Sequence, residues 1–184
     1  MARRLPRFLT IEEVNAMFDV SKDNPRDNLL LRSYFYLGLR NAELKNLKIE
    51  DVDLINRVVK VVQGKGKKDR YVPIPTQDLI GRLRDWIAGR EEGQLFEGLS
   101  NGRLSDRHIR RIVKDYARKA GIRKASEVHP HTLRHSYATF LQNRGVPLNM
   151  IQNILGHDRI ETTTVYLHLG IERMREHVEK AFRV

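Results

Sequence analysis

One β-rich stretch, residues 49–74, interrupts a chain whose other apolar residues recur at the three- and four-residue spacing of helices. It holds Val52 and the runs VVKVV (58–62) and YVPI (71–74), which are separated by turn-type residues at 54–57 and 63–70. Runs of β-branched and aromatic residues between such turns are typical of strands. We therefore predict a mainly α fold (α+β) with a small three-stranded antiparallel sheet. Pro73 indicates that the last strand lies at the edge of that sheet.

Start and stop signals divide the rest of the chain into helices. Thr10 and Glu13 form a capping box before the first helix. Pro25 stands where a second, largely buried helix can begin, and Gly38 can end it. Asn41 can cap a short helix that follows. Further helices are predicted over 76–88, over 105–120, around 131–141, from about 147 to 155 and towards the C-terminus.

Length and charge limit the classes of protein to which the chain can belong. Its 184 residues suffice for one domain with a substantial core, but not for two ordinary ones. Its formal charge of +11 predicts affinity for polyanions, above all nucleic acid, although a basic protein that is merely soluble has the same composition. The absence of cysteine excludes disulfides, cysteine–zinc sites and thiol catalysis. No run approaches the roughly 18 apolar residues of a membrane span, so we expect a soluble, cytoplasmic protein without membrane contact.

The stretch 131–166 combines several side chains that suit one phosphodiester. If HTLRHSYATFL is helical, His131, Arg134 and His135 share one face, and the apolar residues lie on another. A second imidazole, His157, follows a glycine that is typical of a helix C-terminus. Tyr166 lies nine positions after it. This stretch is therefore the predicted centre of the site.

These motifs resemble those of the catalytic domain of tyrosine recombinases, the phage integrase family, and most of all its Xer-like branch. The resemblance is carried by LGLRNAEL, GKGKK, HTLRH, LGH and a tyrosine nine residues later, in the family's order and over nearly the whole chain. It implies the DNA breaking-rejoining catalytic fold and a site-specific DNA recombinase that acts through a covalent 3′-phosphotyrosine. It also implies double-stranded DNA as the partner, with neither a metal nor a cofactor.

Matched position by position, the resemblance assigns six catalytic residues, namely Arg40, Lys65, His131, Arg134, His157 and Tyr166. Guanidinium groups bind phosphate oxygens in pairs, so the two arginines would hold the non-bridging oxygens. The tyrosine would be the nucleophile, the lysine would protonate the leaving 5′ oxygen, and the histidines would donate to the phosphate or move the tyrosine proton. Glu43, three residues after Arg40, matches the family's acidic position and would orient that arginine.

Each assignment has a simpler structural alternative. Tyr166 alone is an ordinary packing tyrosine, and Arg40 alone is an ordinary charge at a helix C-terminus. Lys65 lies in a basic run that also suits a solvated turn, where Lys67 competes with it for the role of acid. The histidines suggest zinc, but HTLRH lacks the glutamate of HExxH and its arginine would repel a cation. GKGKK lacks the Walker spacing of a P-loop.

Basic residues near these motifs are predicted to contact the DNA backbone: Lys67, Lys68, Arg70, Arg107, Arg110 and Arg111. The last three belong to the polar side of helix 105–120, whose other side is an apolar stripe. Such a basic face suits solvent and a phosphate backbone equally well.

We expect residues 1–9 to form a basic arm and residues 10–184 a single catalytic domain. Its C-terminal helix, 170–184, would pack either on its own core or on a neighbouring protomer. Members of the family usually carry a separate N-terminal core-binding domain, and none is expected here. The resemblance implies a homo-oligomer, a tetramer on synapsed DNA and a monomer in isolation. Two alternatives are a topoisomerase-like nicking and resealing enzyme and a non-catalytic DNA-binding protein on the same fold.

Overall fold

The computed structural model describes residues 7–62, 69–98, 102–156 and 167–183, and in 167–170 the backbone alone. Within these ranges the chain forms α1 (Ile11–Val20), α2 (Pro25–Leu37), α3 (Asn41–Asn46), β1 (Val52–Asp53), β2 (Val58–Val61), β3 (Arg70–Pro73), α4 (Gln77–Ile87), α5 (Asp106–Lys119), α6 (Pro130–Asn143), α7 (Leu148–Leu155) and α8 (Leu167–Phe182). Two 3₁₀ turns lie at Ile49–Asp51 and Ala125–Glu127. This order confirms the predicted mainly helical fold with a small sheet. None of the described helices is long and apolar enough to span a lipid bilayer.

The predicted helix starts are confirmed wherever a capping signal was clear. In α1 the Thr10 hydroxyl accepts from the Glu13 amide at 3.3 Å, and the Glu13 carboxylate accepts from the Thr10 amide at 3.0 Å. Helix α2 begins at Pro25. The hydroxyls of Thr76 and Ser105 cap α4 and α5. Each cap satisfies an amide that has no partner within its helix, so these boundaries follow from local sequence.

Helix α3 is the exception, and the prediction that Asn41 caps it is wrong. Asn41 is the first residue of the helix, and Arg40 is its N-cap, with extended backbone. The Asn41 side chain instead accepts a hydrogen bond from the Tyr34 hydroxyl at 2.5 Å. The Arg40 amide donates to the Glu43 carboxylate at 2.7 Å. One of the predicted phosphate-binding residues therefore also occupies the N-cap position of a helix.

The sheet is antiparallel in the order β1-β2-β3, as predicted. Val59 in the central strand lies opposite Val52 on one side and Val72 on the other. The prediction that Pro73 lies in an edge strand is confirmed, because β3 pairs with β2 on one side of the sheet. Strand β3 begins at Arg70, opposite Val61. The sheet thus sets the two ends of the β2–β3 hairpin side by side.

Helix α2 lies in the middle of the hydrophobic core and packs against α6 and α4. Its residues Leu30, Tyr34 and Leu37 are completely buried. The turn that follows it is therefore held on a rigid element, since close-packed interiors yield little.

The last helix, α8, packs on the chain's own core. Val178 and Ala181 are buried, and the ring of Phe182 stacks on Phe140 with centroids 4.6 Å apart. Full burial of a side chain such as valine contributes about 1.5–3 kcal/mol. One of the two predicted destinations of this helix is thus observed, and docking on a neighbouring protomer stays a prediction.

Candidate active site

The turn after α2 presents Arg40. Helix α2 ends at Gly38, whose left-handed backbone (φ 57°) lets the chain turn before α3. The Arg40 guanidinium donates to Glu43 Oε1 at 2.8 Å and to the Gly156 carbonyl at 2.7 Å. Its side chain is still 37% exposed, so a ligand can reach it. This geometry supports the orienting role predicted for Glu43.

Arg134 reaches the same place from α6. Its side chain is 8% exposed and lies 3.9 Å from Glu43 Oε2. Its Nη1 donates to the Gly38 carbonyl and its Nη2 to the Leu155 carbonyl, both at 2.6 Å. Burial, and next the charge of Arg40, lower the pKa of Arg134 to about 10, which leaves it protonated at neutral pH. The structure therefore brings together the two arginines that the sequence predicts to hold phosphate oxygens.

A third guanidinium, that of Arg70, completes the group. It donates to both carboxylate oxygens of Glu43 at 2.8 Å, and its Nε donates to the Ile154 carbonyl at 2.9 Å. Its side chain is 10% exposed. The sequence predicts a DNA-backbone contact for Arg70, whereas the structure turns its donors towards the protein. We refer to these four side chains as the guanidinium cluster: Arg40, Glu43, Arg70 and Arg134.

Glu43 is the anion at the centre of the guanidinium cluster. Burial favours a higher pKa, but the hydrogen bonds and charge of Arg70, with the bonds from Arg40, outweigh it and lower the pKa of Glu43 to about 2. The carboxylate is therefore ionised at neutral pH. Three cationic groups surround one anionic group, so the cluster has an excess of positive charge. Such an excess suits an anionic ligand at the exposed Arg40 side.

The C-terminal end of α7 is held by the same three arginines. Each of three successive carbonyls accepts from a different guanidinium: Ile154 from Arg70, Leu155 from Arg134 and Gly156 from Arg40. The last carbonyls of a helix have no partner within it and lie at the negative end of its dipole, so cations are favoured there. The helix ends at Gly156 in left-handed backbone (φ 68°), as the sequence predicts. The cluster thereby fixes the point from which the chain continues towards His157.

His131 lies near the N-terminal end of α6 and is exposed. Burial of part of the ring, then the charges of Arg134, His135, Arg110 and Arg40, lower the pKa of His131. The neutral imidazole is therefore favoured at neutral pH. The three residues lie in α6 at the predicted helical spacing, but Arg134 is buried while His131 and His135 are exposed.

Helix α5 exposes the three arginines that the sequence predicts to contact DNA, namely Arg107, Arg110 and Arg111. Its apolar stripe is buried, as expected of an amphipathic helix. The charge of Arg110 contributes to the lowered pKa of His131. This basic face is therefore electrostatically coupled to the region around the cluster.

Five residues named from the sequence lie outside the described residues: Lys65, Lys67, Lys68, His157 and Tyr166. Two of them adjoin the cluster in sequence, because His157 follows Gly156 directly and Lys65 precedes Arg70 by five positions. The roles assigned to all five stay predictions.

Sequence reasoning missed the pairing of Arg70 with Glu43, which are 27 positions apart. No helical or strand period connects them, because Arg70 begins β3 and Glu43 lies in α3. The one sequence feature related to this pairing is the glycine at position 156. In the structure, a Cβ added there would lie 3.0 Å from Cζ, Nε and Nη1 of Arg70. A glycine at that point ends α7 and also leaves room for a neighbouring guanidinium.

Comparison with known proteins shows the family to which the chain belongs. The sequence profile of the phage integrase family matches residues 7–173. The chain is 39% identical over 185 residues to the tyrosine recombinase XerA of Pyrococcus furiosus, in an alignment that covers 97% of this chain and 63% of that protein. The chain thus spans less than two thirds of the length of this relative.

Solved structures show the same fold. A crystal structure of XerA recombinase matches all of this chain over 68% of its own, with a TM-score of 0.77 and 31% identity. The XerH site-specific recombinase, solved bound to palindromic difH substrate in a post-cleavage complex, matches 94% of this chain over 52% of its own, with a TM-score of 0.71 and 27% identity. The predicted fold class is therefore confirmed. The chain belongs to the phage integrase family, in the Xer-like branch of the tyrosine recombinases.

Proposed function

We propose that this chain acts in site-specific DNA recombination, as an integrase-type enzyme that cleaves and rejoins strands through a covalent 3′-phosphotyrosine. The observation that carries the proposal is that Arg40 and Arg134 both lie against Glu43, in a cluster with an excess of positive charge. The relatives named above are recombinases, which favours this reaction over topoisomerase-like resealing and over DNA binding without chemistry.

In the proposed reaction the hydroxyl oxygen of Tyr166 forms a bond to phosphorus, and the bond from phosphorus to the 5′ oxygen breaks. The tyrosine proton passes to a base, for which His131 and His157 are the candidates, and Lys65 gives a proton to the 5′ oxygen. In the reverse step the 5′ hydroxyl of a second strand attacks the phosphotyrosine and releases the tyrosine. Because each step exchanges one phosphoester for another, no energy-supplying cofactor is required, and the two arginines would supply the positive charge for which a metal would otherwise be needed.

The guanidinium cluster would stabilise the negative charge that develops on the phosphate. Glu43 and the backbone carbonyls hold Arg40 and Arg134 in place through contacts within the protein, so these donors are preorganised for the substrate. Loss of one such preorganised donor typically costs about 10²–10³ in rate. His131 is largely neutral at neutral pH, so one ring nitrogen can donate to the phosphate while the other accepts a proton.

Double-stranded DNA is the proposed partner. The exposed arginines of α5 and the hairpin lysines are the proposed backbone contacts: Arg107, Arg110, Arg111, Lys67 and Lys68. Each phosphate that they neutralise should add about −0.9 to the slope of log affinity against log salt. The proposed working unit is a tetramer on synapsed DNA, with α8 docking between protomers, and a monomer without DNA. The same proposal implies a cytoplasmic protein, because its substrate is cellular DNA.

The test uses a library of nicked duplexes that lose their 5′-hydroxyl fragment on cleavage, incubated with the protein in EDTA. A protein–DNA adduct on a denaturing gel is expected for the wild-type chain and should be absent for Tyr166→Phe, although that variant still binds DNA. The matched control is Tyr36→Phe, which changes a half-buried tyrosine in α2 and should still form the adduct. An adduct with Tyr166→Phe would contradict the assignment of Tyr166 as the nucleophile. Salt-sensitive DNA binding by wild type without any adduct would contradict the proposal that the chain is an enzyme.

A further inference from the structure

Arg70 differs from the other two arginines of the cluster in what its guanidinium can still bind. All three of its nitrogens donate within the protein, two to Glu43 and one to the Ile154 carbonyl. Arg40 and Arg134 each donate from two nitrogens. Exposure does not set Arg70 apart, because its side chain is 10% exposed, against 37% for Arg40 and 8% for Arg134. A guanidinium whose three nitrogens all donate within the protein is poorly placed to bind a phosphate. Its contacts instead join three separate elements, namely β3, α3 and the end of α7.

We propose that Arg70 is a positioning residue that ties the β2–β3 hairpin to the end of α7, and that it acts on catalysis through this link. The inference rests on the proposed recombinase function. Arg70 follows Lys65 by five positions, and Ile154 precedes His157 by three. The link therefore joins the segment that follows the proposed acid in the sequence to the segment that precedes one proposed imidazole and, further on, the nucleophile.

The chemistry of the link requires arginine. A planar guanidinium can donate to both oxygens of one carboxylate and to a carbonyl at its Nε edge at the same time. A lysine ammonium keeps the charge but has neither the planar fork nor the second edge. Arg70→Lys should therefore leave the charge of the cluster unchanged while it loosens the hairpin from α7.

Gly156 provides a second observation for the same link. An added Cβ there would lie 3.0 Å from three atoms of the Arg70 guanidinium, namely Cζ, Nε and Nη1. That contact is tighter than van der Waals packing, so Arg70 would have to move. Gly121 ends α5 with the same φ of 68° and has open space around its Cα. The two glycines thus share a left-handed backbone, which would be strained by an alanine at either position, and differ in their contact with Arg70.

The effect on the reaction should be a loss of rate rather than of DNA affinity. Misplacement of a catalytic group by about 1 Å can cost on the order of 10² in rate. The exposed basic face of α5 is untouched by the substitution, so binding to duplex DNA should change little. A merely structural role would lower stability and affinity together and leave the rate of the bound enzyme unchanged.

The experiment compares wild type, Arg70→Lys and the control Arg118→Lys, an arginine of α5 that is 74% exposed. The measurements are the single-turnover rate of adduct formation at saturating nicked duplex, the Kd for that duplex, and hydrogen exchange of the amides in 148–156. For Arg70→Lys we expect a rate about 10- to 100-fold lower, a nearly unchanged Kd and faster exchange at the end of α7. Arg118→Lys should match wild type in all three.

Gly156→Ala and Gly121→Ala repeat the test without removing the arginine. Both should lose similar stability, and Gly156→Ala alone should speed exchange at the end of α7 and slow adduct formation. When Gly156→Ala is added to Arg70→Lys, the further loss of rate should be smaller than in wild type, because the link is already broken.

The inference is overturned if Arg70→Lys leaves the exchange of 148–156 unchanged, or if it forms the adduct at the wild-type rate. It is also overturned if the Kd rises in proportion to the loss of rate. If wild type forms no adduct, the proposed function fails and the catalytic part of the inference fails with it. The exchange comparison then still decides whether Arg70 holds α7.

Discussion

Helix α6 contributes side chains to two clusters that are held together by different kinds of contact. Arg134 belongs to the guanidinium cluster, whereas Tyr137, one turn later, belongs to a group of rings whose centroids lie 4.6–6.4 Å apart. We refer to this group as the aromatic cluster: Phe35, Tyr137, Phe140 and Phe182. Gly38 touches both, because its carbonyl accepts from Arg134 and its Cα abuts the Tyr137 ring.

The difference between the two kinds of contact predicts which substitutions each cluster should tolerate. Ring packing is mostly non-directional, so a side chain of equal volume and shape can replace another at small cost. The guanidinium cluster depends on directed bonds to a carboxylate and to backbone carbonyls, and each buried charge in it is costly once its partner is removed. A substitution that changes a single atom should therefore lower the free energy of unfolding strongly in the guanidinium cluster and only slightly in the aromatic cluster.

Glu43→Gln should have the largest effect. It removes the negative charge among three guanidinium groups and leaves Arg70 without its two charged acceptors. Breaking a buried ion pair in this way costs about 3–5 kcal/mol of unfolding free energy. Guanidinium chloride denaturation measures the loss, and adduct formation should fall with it because Arg40 is no longer held.

The control for this prediction is Glu127→Gln, which changes an exposed glutamate paired with Arg7 at 3.6 Å. Exposed ion pairs contribute about 0–1 kcal/mol, so its stability should stay close to that of wild type. Equal losses of unfolding free energy in the two variants would show that the ion pairs of Glu43 contribute no more to stability than an exposed ion pair does.

Gly38→Ala should have the next largest effect, because it disturbs both clusters at their shared point. The new Cβ would lie 2.5 Å from Cδ1 of the buried Tyr137, and the backbone has φ 57°. Left-handed backbone and overpacking together should cost on the order of 3 kcal/mol. Gly145→Ala, with φ 78° and open space around it, isolates the backbone part and should lose only about 1–2 kcal/mol. Similar thermal unfolding of the two variants would contradict the steric contact.

Local signals in the sequence predicted the frame of this site but not its centre. The Thr10 cap, the Gly38 stop and the edge position of Pro73 are each determined by a few neighbouring residues, and all three are confirmed. The family motifs identified Arg40 and Arg134, and the structure brings these two together.

The remaining features depend on packing between elements that are far apart in sequence. Helical spacing alone groups Arg134 with His131, because a three-residue interval does not show which of the two turns towards the carbonyls at the end of α7. The pairing of Arg70 with Glu43 requires β3, α3 and α7 to meet. No local sequence pattern indicates that these three elements are in contact. From the sequence alone, the buried Arg70 therefore cannot be distinguished from the other basic residues of the hairpin.

Acid should reveal the charge on Glu43 as a smaller, graded effect. The folded-state pKa of Glu43, about 2, lies below its unfolded value of 4.5, so this group stabilises the fold fully above pH 4.5 and loses that contribution as the pH falls towards 2. The difference in unfolding free energy between wild type and Glu43→Gln should therefore shrink over this window. Taking the difference between the two proteins removes the contributions of the other titratable groups, which both proteins share. A difference that stays constant from pH 5 to pH 2 would contradict the lowered pKa.

Tyr137→Phe should have the smallest effect, and its sign should be opposite to that of the others. The Tyr137 hydroxyl is buried and has no hydrogen-bond partner among the described residues, and burial raises its pKa. A buried hydroxyl without a partner is unfavourable, so its removal should leave stability unchanged or raise it by up to about 1 kcal/mol. The ring keeps its stacking on Phe182, at a 12° interplanar angle, and its contact with Gly38. Denaturation of this variant beside Tyr34→Phe, which loses a 2.5 Å hydrogen bond to Asn41, gives the matched comparison. A clear loss in Tyr137→Phe would mean that the hydroxyl has a partner and that the aromatic cluster, like the guanidinium cluster, depends on directed bonds.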